Sequence, residues 1–275
     1  MPEHARRTFD RTKDVPKIIG CNERNVEYRW TIYEKVLAQI PAGSKVLDFG
    51  AGSLRETYEL ARRGYQVTAT DLNEETLVSY QADYDWSQVP CRPEIIAGNF
   101  ATLGRQTFAL ITAFDVFEHL ERPKEVLAAM HGLLQDGGFL FCSVPNRRSL
   151  FEIMFRINWK IGLAGGHLFP PGEPHLQFKS PEEWRAFFTT ETGFRVIDHQ
   201  MAIGFLVNTW AAISQIPTLL IRKILRRPQA HVDEYGLFAS KRVMSALHSL
   251  DQRTASALKG YRAWNLIILQ KTRDG

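Results

Sequence analysis

Short apolar runs alternate with segments of helical period along most of this chain. A run that is apolar on both faces reads as a strand inside a sheet covered on both sides, and spacings of three and four residues read as an amphipathic helix. Residues 45–49 form the first such strand, which breaks into a turn at Gly50 and Gly52; Leu54, Tyr58 and Ala61 then predict a helix over 54–63. Further strands are predicted at 65–71, 93–97, 108–114 and 139–144, interleaved with helices at 73–84 and 122–134. Asn73 supplies an N-cap for the first of these helices, with Glu74 and Glu75 in its first turn. Pro123 suits the first turn of the second, which Asp136-Gly-Gly138 ends. Upstream, Val26, Trp30, Tyr33, Val36 and Ile40 predict a helix over 25–40, stopped by Pro41-Ala-Gly43. Downstream, Ser180-Pro-Glu-Glu183 opens a helix with a capping box that runs to Gly193, and strands are predicted at 194–199 and 264–271.

This βαβα order calls for a parallel sheet with helices on both faces and ligands at the carboxyl ends of the strands. The expected fold is α/β, a Rossmann-like, doubly wound, seven-stranded and mostly parallel sheet with a helical insertion between strands six and seven. One domain over 1–275 accommodates it: a helical leader at 1–43, a core at 44–200, a Gly- and Pro-rich loop insertion at 147–180, a hydrophobic helical insertion or lid at 201–263, and the last strand at 264–275. Residues 201–221 contain no charged side chain and are followed directly by Arg222, Lys223, Arg226 and Arg227. Three readings stay open for them: a lid or buried helix, a helix held on a membrane surface by the basic cluster, or a spanning helix diluted by Asn208, Ser214, Gln215 and Pro217.

Composition narrows the function classes. With 275 residues, 44% apolar and 23% charged, the chain can bury a large core. Its formal charge of +4 is mild and its basic residues are scattered apart from two clusters, so no nucleic-acid partner is expected. Cys21, Cys91 and Cys142 fit neither a zinc pattern nor a disulfide framework, and residues 1–17 lack the apolar run of a secretory signal. The expected location is the cytoplasm, with 201–227 as the candidate for peripheral membrane contact.

The candidate chemistry lies at the ends of the strands. Read in order, Asp48-Phe-Gly50-Ala-Gly52, Asp71, Asn99 and the stretch 114–119 resemble the class I methyltransferases that use S-adenosylmethionine, closest in motif to the ubiquinone-pathway-like small-molecule enzymes. The resemblance covers residues 25–200 and the last strand. It implies S-adenosylmethionine as cofactor, with Asp48, Gly50 and Gly52 at its methionine portion, Asp71 on the ribose hydroxyls and Leu72 on the adenine face. Asn99 would serve the adenine edge, its neighbour Phe100 is a further cofactor-binding candidate, and Phe114 would lie beside the cofactor after strand four. Arg29 resembles an arginine that pairs with the cofactor carboxylate in quinone-pathway relatives. The residue types suit these tasks: glycine lets backbone approach a ligand closely, and a carboxylate accepts from two hydroxyls at once. Leu54 stands where many members of the family carry a third glycine, which predicts less room beside the methionine portion.

Methyl transfer from a sulfonium depends on positioning and exclusion of water, and needs a base only where the acceptor keeps its proton. His119, just past strand four, and His175, just before the helix at Ser180, are the catalytic candidates. Asp115, Glu118 and His119 have the i, i+3, i+4 spacing of one helical face. They resemble the Glu-x-x-Glu-His segment associated with a divalent metal in the ubiquinone-pathway O-methyltransferases. With Asp115 in place of the first Glu no resident metal is expected, and these three are the candidates to hold one. Two available bases make oxygen the expected methylated atom, with carbon and nitrogen left open, and the uncharged stretch 201–221 makes a hydrophobic or lipid-linked small molecule the expected acceptor. An NAD-dependent oxidoreductase is disfavoured because Arg55 occupies the third glycine position of G-x-G-x-x-G counted from Gly50. A non-catalytic cofactor-binding or scaffolding protein of the same fold remains the alternative.

Overall fold

Seven strands, β1 (Lys45–Phe49), β2 (Gln66–Asp71), β3 (Glu94–Ala97), β4 (Phe108–Phe114), β5 (Leu134–Pro145), β6 (Phe194–Ala202) and β7 (Trp264–Lys271), form one sheet in the order β3-β2-β1-β4-β5-β7-β6. They belong to a computed structural model that describes residues 23–98, 103, 104, 106–163, 174–190, 192–202, 204–207, 209, 210, 213, 241–254 and 257–272. β1 to β5 pair in parallel, and β7 is antiparallel to both of its neighbours. β1 lies between β2 and β4, so the winding reverses there, and the carboxyl ends of these strands frame the place where such sheets bind ligands.

The helices are α1 (Glu23–Leu37), α2 (Arg55–Arg62), α3 (Glu74–Gln81), α4 (Pro123–Leu133), α5 (Leu150–Leu163), α6 (Pro181–Thr189) and α7 (Lys241–Arg253). Val46 and Leu47, adjacent in β1, face opposite layers, as the two-residue period of a strand requires. Val46 packs with Trp30, Tyr33 and Val36 of α1 and with Leu60 and Ala61 of α2, whereas Leu47 packs with Leu127 and Met130 of α4 and Trp184 and Phe188 of α6. The caps are as predicted. Asn73 Oδ1 accepts the Thr76 N–H at 2.9 Å, and Ser180 and Glu183 exchange the two bonds of a capping box.

Several predicted boundaries shift, each for a local reason. The predicted loop insertion at 147–180 begins with α5, because Leu150, Ile153, Met154, Ile157 and Ile161 keep a helical period and the Ser149 hydroxyl accepts the Glu152 N–H at 3.1 Å. Most of the glycines and prolines that suggest a loop there fall at 165–174, beyond the helix. β5 starts at Leu134 with Asp136-Gly-Gly138 inside it. The register against β4 jumps from Phe108↔Leu134 to Leu110↔Phe139, and Gly137 takes a φ of +76° to absorb the irregularity. β6 runs on to Ala202 and so takes the first two residues of the uncharged stretch.

Further along that stretch, residues 205–207, 209, 210 and 213 are helical. Val207 is fully buried and Trp210 packs on the core beneath α1. The N–H groups of Leu206 and Val207 donate to Oδ1 and Oδ2 of Asp251 on α7, each at 2.9 Å, so a carboxylate caps the orphan donors of this short turn. The leader 1–22 and residues 214–240, with Arg222, Lys223, Arg226 and Arg227, lie outside the described residues, as does most of what would decide among lid, surface and spanning helix. Among the described residues no helix is long and apolar enough to cross a membrane.

The Asp251 cap leaves no space for a side chain at residue 204. A Cβ added to Gly204 would stand 2.1 Å from Asp251 Oδ2, while one added to Gly132, in α4, would meet nothing within 4 Å. Gly204→Ala should therefore lower the free energy of unfolding by about 1–3 kcal/mol, and Gly132→Ala should raise it by about 0.4–1 kcal/mol. Urea unfolding of the two variants measures both signs.

Candidate functional site

The turn after β1 is fastened to the end of β2. Gly50 and Ala51 both donate their N–H to the Thr70 carbonyl, at 2.8 and 2.9 Å, and Gly52 donates to Asp71 Oδ2 at 2.9 Å. Asp71 Oδ1 accepts the Asn73 N–H at 2.9 Å, which places the carboxylate at the start of α3. Gly50 has a φ of +70°, and a Cβ on it would lie 2.5 Å from Val116 Cγ2, so the backbone passes where no other residue fits. Each Asp71 oxygen keeps a second lone pair for a ligand hydroxyl. Beside it the Leu72 side chain is 79% exposed, an apolar face next to a hydrogen-bonding carboxylate. A nucleoside has the matching chemistry, vicinal hydroxyls on a flat apolar base, and these residues fit the adenosine of S-adenosylmethionine.

Asp48 lies one layer deeper than the resemblance implies. It is buried, and its two oxygens accept the hydroxyls of Thr57 at 2.6 Å and Thr112 at 2.8 Å, joining β1 to α2 and β4. Burial first, and then repulsion by Glu56, push its carboxyl up to about 6 against the pull of the two hydroxyls. Leu54, in the place of a third glycine, adopts φ 58° and ψ 16°, a left-handed conformation costly for a large side chain. Its side chain is fully buried in a cluster with Tyr58, Ala69, Leu77 and Tyr84. It offers no surface to a ligand, so the expected loss of room beside the methionine portion does not arise. Arg29 lies on α1 with its side chain outside the described residues, and Asn99 and Phe100 lie outside them altogether.

At the end of β4, Phe114 packs edge-on against Tyr33 and Phe141. Asp115 then takes a φ of +56° and points toward β5 and β7, where its Oδ1 accepts the Ser143 hydroxyl at 2.7 Å and the Trp264 Nε1–H at 2.6 Å. Phe117–His119 is a 3₁₀ turn, not an α-helix, so the spacing that groups Asp115 with Glu118 and His119 does not bring all three together. The group that does converge is Glu118, His119 and His175, whose potential ligand atoms all lie within 4.8 Å of one another. The Glu118 carbonyl accepts the N–H groups of Leu176 and Gln177, at 2.6 and 3.0 Å, and this seats residues 174–180 against the turn. The rings of His119 and His175 meet nearly edge-on with centroids 4.9 Å apart.

Both histidines have Nδ1 fixed. His119 Nδ1 lies 3.0 Å from the Pro174 carbonyl, and His175 Nδ1 lies 2.9 Å from each oxygen of Glu152. Glu118 is buried, its Oε2 finds no hydrogen-bond partner among the described residues, and burial, reinforced by Asp115 and Glu152, holds its carboxyl well above the usual carboxylate range. Two imidazoles and a carboxyl with a spare oxygen are ligands a divalent cation accepts, so Glu118, His119 and His175 replace the predicted set as the residues that would hold one. Glu152 escapes sequence reasoning. Ser149-Leu-Phe-Glu152 does carry the S-x-x-E signal of a helix start, but its contact with His175 spans 23 residues of chain and leaves no local signature.

Comparison with known proteins places this geometry. A family model described as a methyltransferase domain matches residues 23–199. A ubiquinone biosynthesis O-methyltransferase of Caulobacter vibrioides is 30% identical over 175 residues, covering 62% of this chain and 68% of that protein. The protein of the same name from Pseudomonas aeruginosa is 34% identical over 206 residues, covering 74% and 83%. Several other relatives of that name are matched over only 60–61% of their length. Among solved structures, coclaurine N-methyltransferase superposes with a TM-score of 0.54 at 14% identity, over 91% of this chain and 73% of that one, a likeness of fold.

The Asp48 carboxyl holds its proton more tightly in the folded chain than in the unfolded one, so this group withdraws stability as pH rises from about 4 through about 6. At about 1.4 kcal/mol per pKa unit the total is about 3 kcal/mol. Asp48→Asn keeps an acceptor for one hydroxyl and removes the titration. The unfolding free energy of the variant minus that of the wild type should climb by roughly that amount between pH 4 and pH 7.5. A difference that stays flat across urea titrations at both pH values would refute the burial of an ionisable Asp48.

Proposed function

The chain belongs to the class I S-adenosylmethionine-dependent methyltransferases, and from that premise we propose that it methylates an oxygen of a hydrophobic small molecule, with His175 as the base. The observation that carries the oxygen acceptor is the pair of histidines at the carboxyl end of β4, each with Nδ1 fixed by an acceptor. An imidazole whose Nδ1–H is donated keeps its lone pair on Nε2, the form that takes a proton from a hydroxyl near neutral pH. When bound, S-adenosylmethionine supplies an electrophilic methyl group on a sulfonium, which needs no protein nucleophile. The chain's own residues do the rest. The glycine turn and Asp71 orient the nucleoside end, Leu72 covers the base, and Phe114 packs behind the reacting end.

A hydrophobic acceptor is supported by exposed apolar side chains on the two segments that carry His175 and Glu152. Leu176, next to His175, and Ile153, next to Glu152, are 45% and 42% exposed, and Ile157 follows one turn after Ile153 on α5 at 44%. Apolar surface beside a polar reacting centre suits a ring or chain that must be held while one hydroxyl reacts. The relatives whose names specify oxygen as the methylated atom point the same way.

Calorimetry with S-adenosylmethionine should show binding, and Asp71→Ala should weaken it by about 10- to 100-fold, as expected when hydrogen bonds to a charged acceptor are lost. Mass spectrometry should detect a singly methylated ether when the protein is incubated with the cofactor and octyl 3,4-dihydroxybenzoate. Absence of binding at millimolar cofactor would overturn the reading, and binding without turnover across phenols, quinone precursors, sugars and lipids would favour the non-catalytic alternative.

A further inference from the structure

We propose that Glu152 is the positioning residue of the acceptor site: it locks His175 in the tautomer with hydrogen on Nδ1 and the lone pair on Nε2. This rests on the reading of His175 as the base. Glu152 is 1% exposed, and a buried carboxylate at this depth is stable only with a donor to neutralise it. Its donor is the His175 ring, whose Nδ1 stands 2.9 Å from both carboxylate oxygens. A carboxylate only accepts, so the shared hydrogen resides on Nδ1 and Nε2 of the neutral ring carries the lone pair.

The sheet itself sets where Glu152 stands. Asn146, fully buried at the end of β5, donates from Nδ2 to the carbonyls of Gly260 and Arg262, at 2.9 and 2.8 Å, and its own carbonyl accepts the Ser149 N–H at 2.9 Å. Ser149 Oγ then accepts the Glu152 N–H, and the Phe151 ring packs at a tilt against Trp264 with centroids 5.0 Å apart. The carboxylate is therefore held by β5 and β7, while the histidine arrives on a separate segment that the Glu118 carbonyl anchors. In the step assigned to this pair, the acceptor's hydroxyl proton moves to Nε2 and the electron pair of the broken O–H bond stays on oxygen. The same lock would serve equally if Nε2 ligated a cation, since a ligating imidazole also needs its other nitrogen held.

The tautomer is measured without any turnover. In protein labelled with 15N histidine, with the His175 signals identified by their loss in His175→Gln, the nitrogen shifts should report hydrogen on Nδ1. Hydrogen on Nε2 in the wild type overturns the proposal. Kinetics with octyl 3,4-dihydroxybenzoate add a second readout. Glu152→Gln should lower kcat by about 10-fold or more with KM for the cofactor unchanged, and Glu152→Asp should recover part of the loss. The double variant Glu152→Gln/His175→Gln should be no slower than His175→Gln alone, because Glu152 acts only through the ring. Losses that multiply would assign Glu152 a structural role and overturn the proposal. Full turnover by His175→Gln would instead refute the base reading, and the nitrogen shifts would still decide the tautomer lock.

Discussion

Three N–H groups in a row, those of Gly50, Ala51 and Gly52, donate across to the last two residues of β2, and the rest of the site hangs on that attachment. A turn after a parallel strand ordinarily has no reason to lean on its neighbour. Here the Thr70 carbonyl takes two of the donors and the Asp71 carboxylate takes the third, so the turn cannot move without the end of β2. The left-handed angles at Gly50, Gly52 and even Leu54 follow from it, because the chain must leave a strand, touch the adjacent one and begin α2 within five residues. Burying the Leu54 side chain among Tyr58, Leu77 and Tyr84 offsets a strain of about 1–3 kcal/mol. Beneath the turn Asp48 extends the same fastening to β4 and α2 through two threonine hydroxyls.

The histidine cluster is built by a second fastening, which runs through side chains. Asp115 accepts bonds from Ser143 on β5 and from Trp264 on β7, and these pull the chain after β4 into a positive φ that no helix allows. The following 3₁₀ turn presents Glu118 and His119, and its carbonyl holds the segment that carries His175. Trp264 also supports Phe151, one residue before Glu152. One tryptophan in the last strand thus braces both the turn that carries Glu118 and His119 and the helix that carries Glu152, although it lies far from both in sequence.

The sequence is legible where chemistry is local. Five buried runs, two glycines after an acidic strand end and the Ser180 capping box each act within a few residues, so β1, β4, β7 and the start of α6 fall where the pattern puts them. It misleads where one signal is read over too long a window: the prolines and glycines after 164 hide the helical period of α5 just before them. The spacing of Asp115, Glu118 and His119 misleads for a different reason. The i, i+3, i+4 rule presumes a helix, and the backbone there is set by Ser143 and Trp264, residues 28 and 149 positions away. Glu152 and His175 are unreadable as a pair on the same grounds, since no periodicity links two segments that meet only once the sheet has formed.

The two buried carboxyls at these strand ends show how scaffold and site differ in energy. Asp48 and Glu118 are both held above the usual carboxylate range, and burial is the first cause in each. Asp48 has a hydroxyl for each oxygen, so its burial yields a link between three elements in return for the desolvation. Glu118 has an Oε2 that nothing described satisfies, in a part of the chain otherwise dense with hydrogen bonds. Folding alone would favour an apolar residue at that position, because an unsatisfied buried polar atom costs about 1–3 kcal/mol. The Glu118 carboxyl also lies with two oriented imidazoles, the potential ligand atoms of all three groups within 4.8 Å of one another, and that convergence separates the histidine cluster from the buried polar pairs elsewhere in the sheet.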